Sequence, residues 1–323
     1  MRILSAQHIA EAVTMKDAIQ AVREGFIALS TGRAQVPLRS RLQTSKGITL
    51  LMPAYLNGAA STVTKIVSVY PSNPQLGLPT TVATVLVLDA QTGQARALLD
   101  GSYLTALRTG AASGLATDLL ARRESSVLGV IGAGTQARTQ IEGICAVRPI
   151  REIRVYALDK LELFVERLIT SYPGITVRAA RNAAEALQGA DILVAATTTR
   201  TPVILSEHVA AGAHINGIGS FTPDMQEIAA EVVTRARIVV DSREACLEEA
   251  GDLLIAMNRG LITKDQALGT EIGEVAAGLK PGRQSDSEIT FFKTVGVAVE
   301  DAAVAVRVVA SAEEKNLGSI VAL

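Results

Sequence analysis

The 323-residue chain reads as an α/β protein: a doubly wound parallel sheet joined to a smaller α+β domain. Three observations predict this. From Ser126 onward, short apolar runs alternate with segments of helical period. Residues 34–100 instead carry β-rich runs punctuated by Pro and Gly, with no helical segment between them. The composition is 48% hydrophobic but only 3% aromatic, so the core is aliphatic and suits stacked layers of helix and strand. The length fits two domains.

The elements follow in order. Residues 1–30 predict two helices. Ser5 caps the first, and the second, from Met15, places Ala18, Ile19, Val22, Phe26 and Leu29 at helical spacing. Ile48–Met52, Ser61–Val69 and Thr80–Leu88 form an antiparallel meander, with turns at Gly77-Leu-Pro79 and Gln91-Thr-Gly93. Tyr103–Ala121 is helical. Strands are then expected at 126–131, 152–157, 175–179, 191–196, 213–218 and 237–240. Helices are expected at 135–146, 160–171, 182–188, 206–211 and 226–234. After Asp241 the chain turns helical, makes a turn at Lys280-Pro-Gly-Arg283, and ends in a long helix, Val297–Glu314. Residues 1–113 with 300–323 therefore make the smaller domain, and 114–299 the parallel-sheet domain inserted within it. The meander has a second face to bury. A second copy of the chain would cover it, so a homodimer is expected.

Charge and cysteine usage exclude several classes. Lys plus Arg total 31 against 32 Asp plus Glu, with no basic tract, so no nucleic-acid surface is expected. Cys145 and Cys246 read as thiols in a reducing cytoplasm. His8, His208 and His214 are scattered, and no metal site is expected. Glu11, Lys16 and Asp17 interrupt any signal-peptide core, and no apolar run is long enough to span a membrane.

The most informative stretch is Ser126–Ala137, an apolar strand entering Gly132-x-Gly134-x-x-Ala137 and then a helix. This is a dinucleotide-binding pattern. Gly132 allows the sharp turn, Gly134 lets a pyrophosphate approach the backbone, and Ala137 lets helix and strand pack closely. Thr135 and Gln136 open a helix whose free N–H groups suit phosphate. The second strand should end in an acid that binds the adenosine ribose, but Ala157 stands there. Asp159 reaches the ribose or caps the next helix, while Lys160 and Arg138 are placed to accept a 2′-phosphate. Both NAD and NADP therefore stay open. Thr197 and Thr198 follow a buried strand at the carboxyl edge of the sheet, where ligands bind.

Several segments together resemble the ornithine cyclodeaminase/μ-crystallin family. They are Leu51-Met-Pro-Ala-Tyr55, Lys65 with Pro71, Gly77-Leu-Pro-Thr80, Thr105–Ala111, Gly132–Gln136, His214–Gly219 and Gly282–Phe291 followed by Val295-Gly296. They occur in the family's order and span nearly the whole chain. The resemblance implies a Rossmann domain, a dimerising substrate domain, and NAD(P)H chemistry at the α-carbon of an amino or imino acid. It places Arg39, Lys65 and Arg108 on the substrate carboxylate, with Met52, Phe221 and Thr222 also lining the substrate. It puts Thr80, Arg108, Gly217, Thr294 and Val295 near the cofactor. Lys65 and Arg108 are the catalytic candidates, Lys65 as a proton relay or as part of a carboxylate clamp. Arg108 lies among Leu104, Ala106, Ala111 and Ala112, unusual company for a cation. Lys65 lies in a β-rich run, where a solvent-facing place in the alternation is the competing reading. Arg41 would face the same side as Arg39 and compete with it.

Two departures from the cyclodeaminase pattern choose among the family's reactions. Leu50 stands where those members carry Glu, and Phe221 where they carry the acid/base Asp. Without these carboxylates, nothing obvious holds a distal ammonium or manages the proton on an α-amine. A cyclic ketimine needs neither, so a reductase of pyrroline-2-carboxylate or piperideine-2-carboxylate is the leading expectation. An alanine or arginine dehydrogenase, a cyclodeaminase, and a non-enzymatic NADPH-binding protein are the alternatives.

Overall fold

The computed structural model describes residues 1–322 and forms two units. Unit 1 comprises Met1–Ala112 and the C-terminal segment from Val297; unit 2 is Ser113–Gly296. Position 323, the end of the expected 300–323 segment, lies outside the described residues.

Unit 1 is built on an eight-stranded sheet. Its order is Ser319–Ile320, Arg2–Leu4, Ala95–Asp100, Thr81–Asp89, Ser61–Val69, Ile48–Leu56 and Ala34–Gln35, with Ser40–Gln43 also pairing Ile48–Leu56. The expected meander is present and antiparallel. Arg2–Leu4 adds in parallel to Ala95–Asp100. That strand, like Ser40–Gln43 and Ser319–Ile320, is too short to leave a periodic signal and was not expected from the sequence. Helices Ala6–Ala12 and Met15–Ser30 start at Ser5 and Thr14, each closing a capping box.

Register decides which side chains share a face. Lys65 stands opposite Met52 on one side and Val85 on the other, and Leu50 stands opposite Val67. This face buries Met52, Val63, Lys65, Val67, Val85 and Val87. Helix Ala298–Glu314 packs across it, and helix Met15–Ser30 packs against that helix in turn. There a Cβ on Gly25 would come within 3.1 Å of the Ala303 Cβ. The opposite face leaves Leu42, Leu51, Ile66 and Val82 exposed.

Unit 2 is the doubly wound half. Seven strands, all parallel, run in the order Thr176–Ala179, Glu152–Tyr156, Val127–Ile131, Ile192–Ala195, His214–Gly217, Ile289–Lys293 and Ala236–Val240. The strand order reverses between Val127–Ile131 and Ile192–Ala195, the position at which such sheets bind ligands. Ile289–Lys293 was not anticipated. It slots between the fifth and sixth strands and is buried at every residue, so it offers no alternation to read. Two expected helices are much shorter. The 206–211 segment makes one 3₁₀ turn, Ser206–His208, and 226–234 keeps only Ala230–Val233. Ile228 instead bridges to Ile204 in parallel, and Asp252 takes the Glu227 and Ile228 N–H groups that a helix would use.

Candidate active site

Unit 1 brings Lys65 and Arg108 together in a buried cluster of four charges. Lys65 Nζ lies 2.7 Å from Asp301 Oδ2, and Arg108 Nε lies 3.2 Å from Asp301 Oδ1. Arg108 Nη1 also donates to Glu300 Oε2 at 2.9 Å. Lys65 is therefore on the covered face and not solvent-facing; the helix over that face supplies its partner. Glu300 and Asp301 occupy the first turn of Ala298–Glu314, where the helix dipole favours negative charge. The other Glu300 oxygen accepts the Val297 N–H at 2.8 Å. Burial pushes the Lys65 ammonium down to about 8, against the pull of Asp301, while Arg108 lowers it further. Met52 is buried directly across from Lys65, and half-buried Leu50 shares its face. Arg39 is half-buried in the segment leading into Ser40–Gln43, and Arg41 is exposed. Thr80 is exposed at the head of its strand, its carbonyl accepting the Tyr70 N–H.

In unit 2 the glycine turn fits a dinucleotide. Gly132 has φ +117°, and a Cβ there would lie 2.5 Å from the Ala196 carbonyl oxygen. Its N–H donates to Tyr156 O at 2.8 Å, tying the turn to the second strand. Gly134 is the N-cap of helix Thr135–Cys145 and makes no side-chain cap. A Cβ on Gly134 would meet nothing within 4 Å, so the backbone is open to a phosphate. Thr135 is exposed; Gln136 is half-buried with its amide oxygen unpartnered. Ala157 is half-buried after the second strand and Asp159 is exposed. Asp159 does not cap the following helix: the N-cap is Lys160, in the left-handed region at φ +57°, with no side-chain cap bond.

The carboxyl edge of this sheet is organised by buried carboxylates that sequence reasoning missed. Glu227 Oε1 accepts the Thr197 N–H at 2.6 Å and its hydroxyl at 2.8 Å. Glu227 Oε2 accepts the Gly219 N–H at 2.6 Å and the Ser220 N–H at 3.2 Å. One side chain thus fixes the loops after Ile192–Ala195 and His214–Gly217. Burial and then Asp252 push the Glu227 carboxyl up, and Lys293 opposes them. Lys293 Nζ lies 3.1 Å from Asp252 Oδ2 and donates to Gly217 O at 3.3 Å. Asp241 Oδ2 accepts from the Thr294 hydroxyl and from the Val295 and Gly296 N–H groups, at 2.7 to 2.8 Å. Thr294 is buried, so its hydroxyl shapes this loop. Thr198 is exposed beside Thr197. Phe221 is 45% exposed, and the half-buried Thr222 donates its hydroxyl to Asp224, which pairs with Arg200.

One signal pointed to the missed acids of unit 1. Glu300-Asp301 is an adjacent acidic pair in the Val and Ala run 297–309, otherwise interrupted only by Arg307.

Comparisons with known proteins identify the family. The model of the ornithine cyclodeaminase/mu-crystallin family matches residues 1–316. The alanine dehydrogenase of Archaeoglobus fulgidus is 40% identical over 317 residues, covering 98% of this chain and 97% of that protein. The structure of Thermococcus litoralis Δ1-pyrroline-2-carboxylate reductase with NADH and L-proline superposes with a TM-score of 0.95 at 40% identity, covering 99% of this chain and 100% of the other. An archaeal alanine dehydrogenase dimer with bound NAD gives a TM-score of 0.91 at 39% identity, covering 99% and 98%.

Proposed function

The chain belongs to the ornithine cyclodeaminase/mu-crystallin family, and we propose that within it this protein is an NAD(P)H-dependent reductase of cyclic ketimine carboxylates. It converts pyrroline-2-carboxylate or piperideine-2-carboxylate to proline or pipecolate. The observation that carries this reading is the company Lys65 keeps. Leu50 and Met52 present an apolar face beside the cations, with no carboxylate on their strand or on that of Lys65 to hold a distal ammonium. An open-chain amino-acid dehydrogenase working toward amination must assemble its imine from a ketone and ammonia, which calls for acid/base groups. A preformed cyclic imine calls for a clamp and a dry wall.

In this reading Arg108 and Lys65 hold the substrate carboxylate, and the apolar wall accepts the ring methylenes. The Gly132–Gln136 turn would hold a reduced nicotinamide cofactor, which would supply the hydride for C2 of the protonated C=N. The iminium becomes a neutral secondary amine, which leaves as the ammonium after gaining one proton. Lys65, protonated, is the group in unit 1 able to offer that proton.

The finer points follow the same logic. Ala157 leaves the second strand without a ribose-binding acid, so NADPH and NADH both serve. The exposed face bearing Leu42, Leu51, Ile66 and Val82 is covered by a second copy, as dimerisation of the archaeal relative suggests. Catalysis takes place in the reducing cytoplasm, with Cys145 and Cys246 as thiols.

The 40% identity to an alanine dehydrogenase favours a second reading, oxidative deamination of alanine. One assay set separates them: NAD(P)H consumption with pyrroline-2-carboxylate, beside NAD(P)⁺ reduction with alanine and proline formation from ornithine. Turnover of the cyclic imine, with rates at least tenfold lower for the others, supports the reductase. Preferential oxidation of alanine overturns it.

A further inference from the structure

Lys65 and Arg108 come from different elements of unit 1, a strand and a helix, yet both reach one carboxylate. Asp301 gives one oxygen to Lys65 Nζ at 2.7 Å and the other to Arg108 Nε at 3.2 Å, and all three side chains are buried. Glu300, the adjacent residue, holds Arg108 and is itself held by the Val297 N–H. We propose that Asp301 is a positioning residue for the reaction: it sets the spacing and orientation of the two cations and keeps Lys65 in its ammonium form until its proton is given up.

The surroundings leave this task to few groups. Strands on either side of Lys65 present Met52 and Val85, neither of which titrates. From the covering helix come Asp301 and Glu300, and from Gly101–Leu120 comes Arg108. Burial and Arg108 both favour loss of the Lys65 proton, and Asp301 is the largest opposing influence. Glu300 opposes it more weakly and is committed to Arg108. Asp301 therefore does not compete with a substrate carboxylate merely as an anion. It compensates two desolvated cations that would otherwise repel each other.

The inference rests on the reductase reading, and its test separates the two. The kcat/KM for pyrroline-2-carboxylate is measured against pH for the full-length wild type, Asp301→Asn, Asp301→Glu and Lys65→Arg. Activity that needs the ammonium is lost as pH rises through the Lys65 value, so the wild type has an alkaline limb near pH 8. Asp301→Asn moves that limb down by about one to three pH units, a change that simple loss of packing does not produce. Lys65→Arg retains residual activity without the limb. An unmoved limb in a folded Asp301→Asn protein, or a limb that survives in Lys65→Arg, overturns the proposal. Should Asp301→Asn not fold, Asp301→Glu decides. It keeps the charge but displaces it by one methylene, so the limb stays while kcat falls at least tenfold; wild-type kcat overturns the orienting role. If the wild type does not reduce the imine, the functional reading fails on its own. The Lys65 side chain is then titrated by NMR in ¹³C-lysine-labelled wild type and Asp301→Asn, where equal midpoints overturn the proposal.

Discussion

Glu227→Gln offers a severe test of how unit 2 is organised. The substitution keeps size and shape but replaces one oxygen with an amide nitrogen. Four donors now converge on the carboxylate: the Thr197 N–H and hydroxyl on one oxygen, the Gly219 and Ser220 N–H groups on the other. The least damaging arrangement keeps the amide oxygen on Gly219 and Ser220 and turns the nitrogen toward Thr197. The Thr197 hydroxyl can rotate to accept, but its backbone N–H then faces another donor. One orphaned buried N–H costs about 1–3 kcal/mol. Removing a desolvated charge next to Asp252 returns part of that, so the net loss should be about 1–2 kcal/mol in urea unfolding. The two loops are pressed together, since a Cβ on Gly219 would overlap the Thr197 carbonyl oxygen. Loosening them at the sheet's carboxyl edge should weaken NADH binding about tenfold, equivalent to about 1.4 kcal/mol. Fluorescence titration with NADH reads that directly. Stability and NADH affinity both at wild-type values would refute the reasoning.

Other substitutions probe separate features. Arg108→Ala should lower kcat/KM at least about 100-fold and cost about 3–5 kcal/mol of stability, because Glu300 is left buried without its cation; NADH affinity should change less than about twofold. Gly134→Val should weaken NADH binding at least about tenfold with little loss of stability, since its side chain enters open space. Gly132→Ala should destabilise the fold by about 1–3 kcal/mol, because φ is +117° and Ala196 O is in the way. Ala157→Asp should shift the ratio of kcat/KM toward NADH over NADPH by about tenfold or more, through repulsion of the 2′-phosphate. Ile66→Glu, on the exposed face of the meander, should halve the mass seen in sedimentation if that face joins two copies.

The legible parts of this fold were those whose signals are local. The glycine turn, six of the seven parallel strands and the antiparallel meander each carry their own periodicity and punctuation. What escaped was set by partners distant in sequence. Segment 226–234 has helical composition, but Asp252 binds the Glu227 and Ile228 N–H groups and holds the chain extended. Ile289–Lys293 carries a lysine in a central buried strand, an assignment that makes sense only once Asp252 is seen to neutralise it. Composition pointed to Arg108 as a site residue because a cation among alanines is conspicuous. For Lys65 the alternation specified two faces but could not say which was covered.

The covering helix supplies that missing information, and it also ties the chemistry to the completeness of the chain. Lys65 and Arg108 are both made before the parallel-sheet unit begins, whereas their counter-charges, Asp301 and Glu300, follow it. Until Ala298–Glu314 docks on the sheet, the Lys65 face lacks its lid and both cations lack their acids. Two cations brought into an apolar layer without partners would cost several kcal/mol each, so that layer cannot close early around them. The same pairing that positions the cations thus makes a finished unit 1 conditional on the last helix. A chain cut before Ala298 should therefore lose packing throughout the meander, and adding the Ala298–Glu314 segment in trans should restore it only when Glu300 and Asp301 are intact.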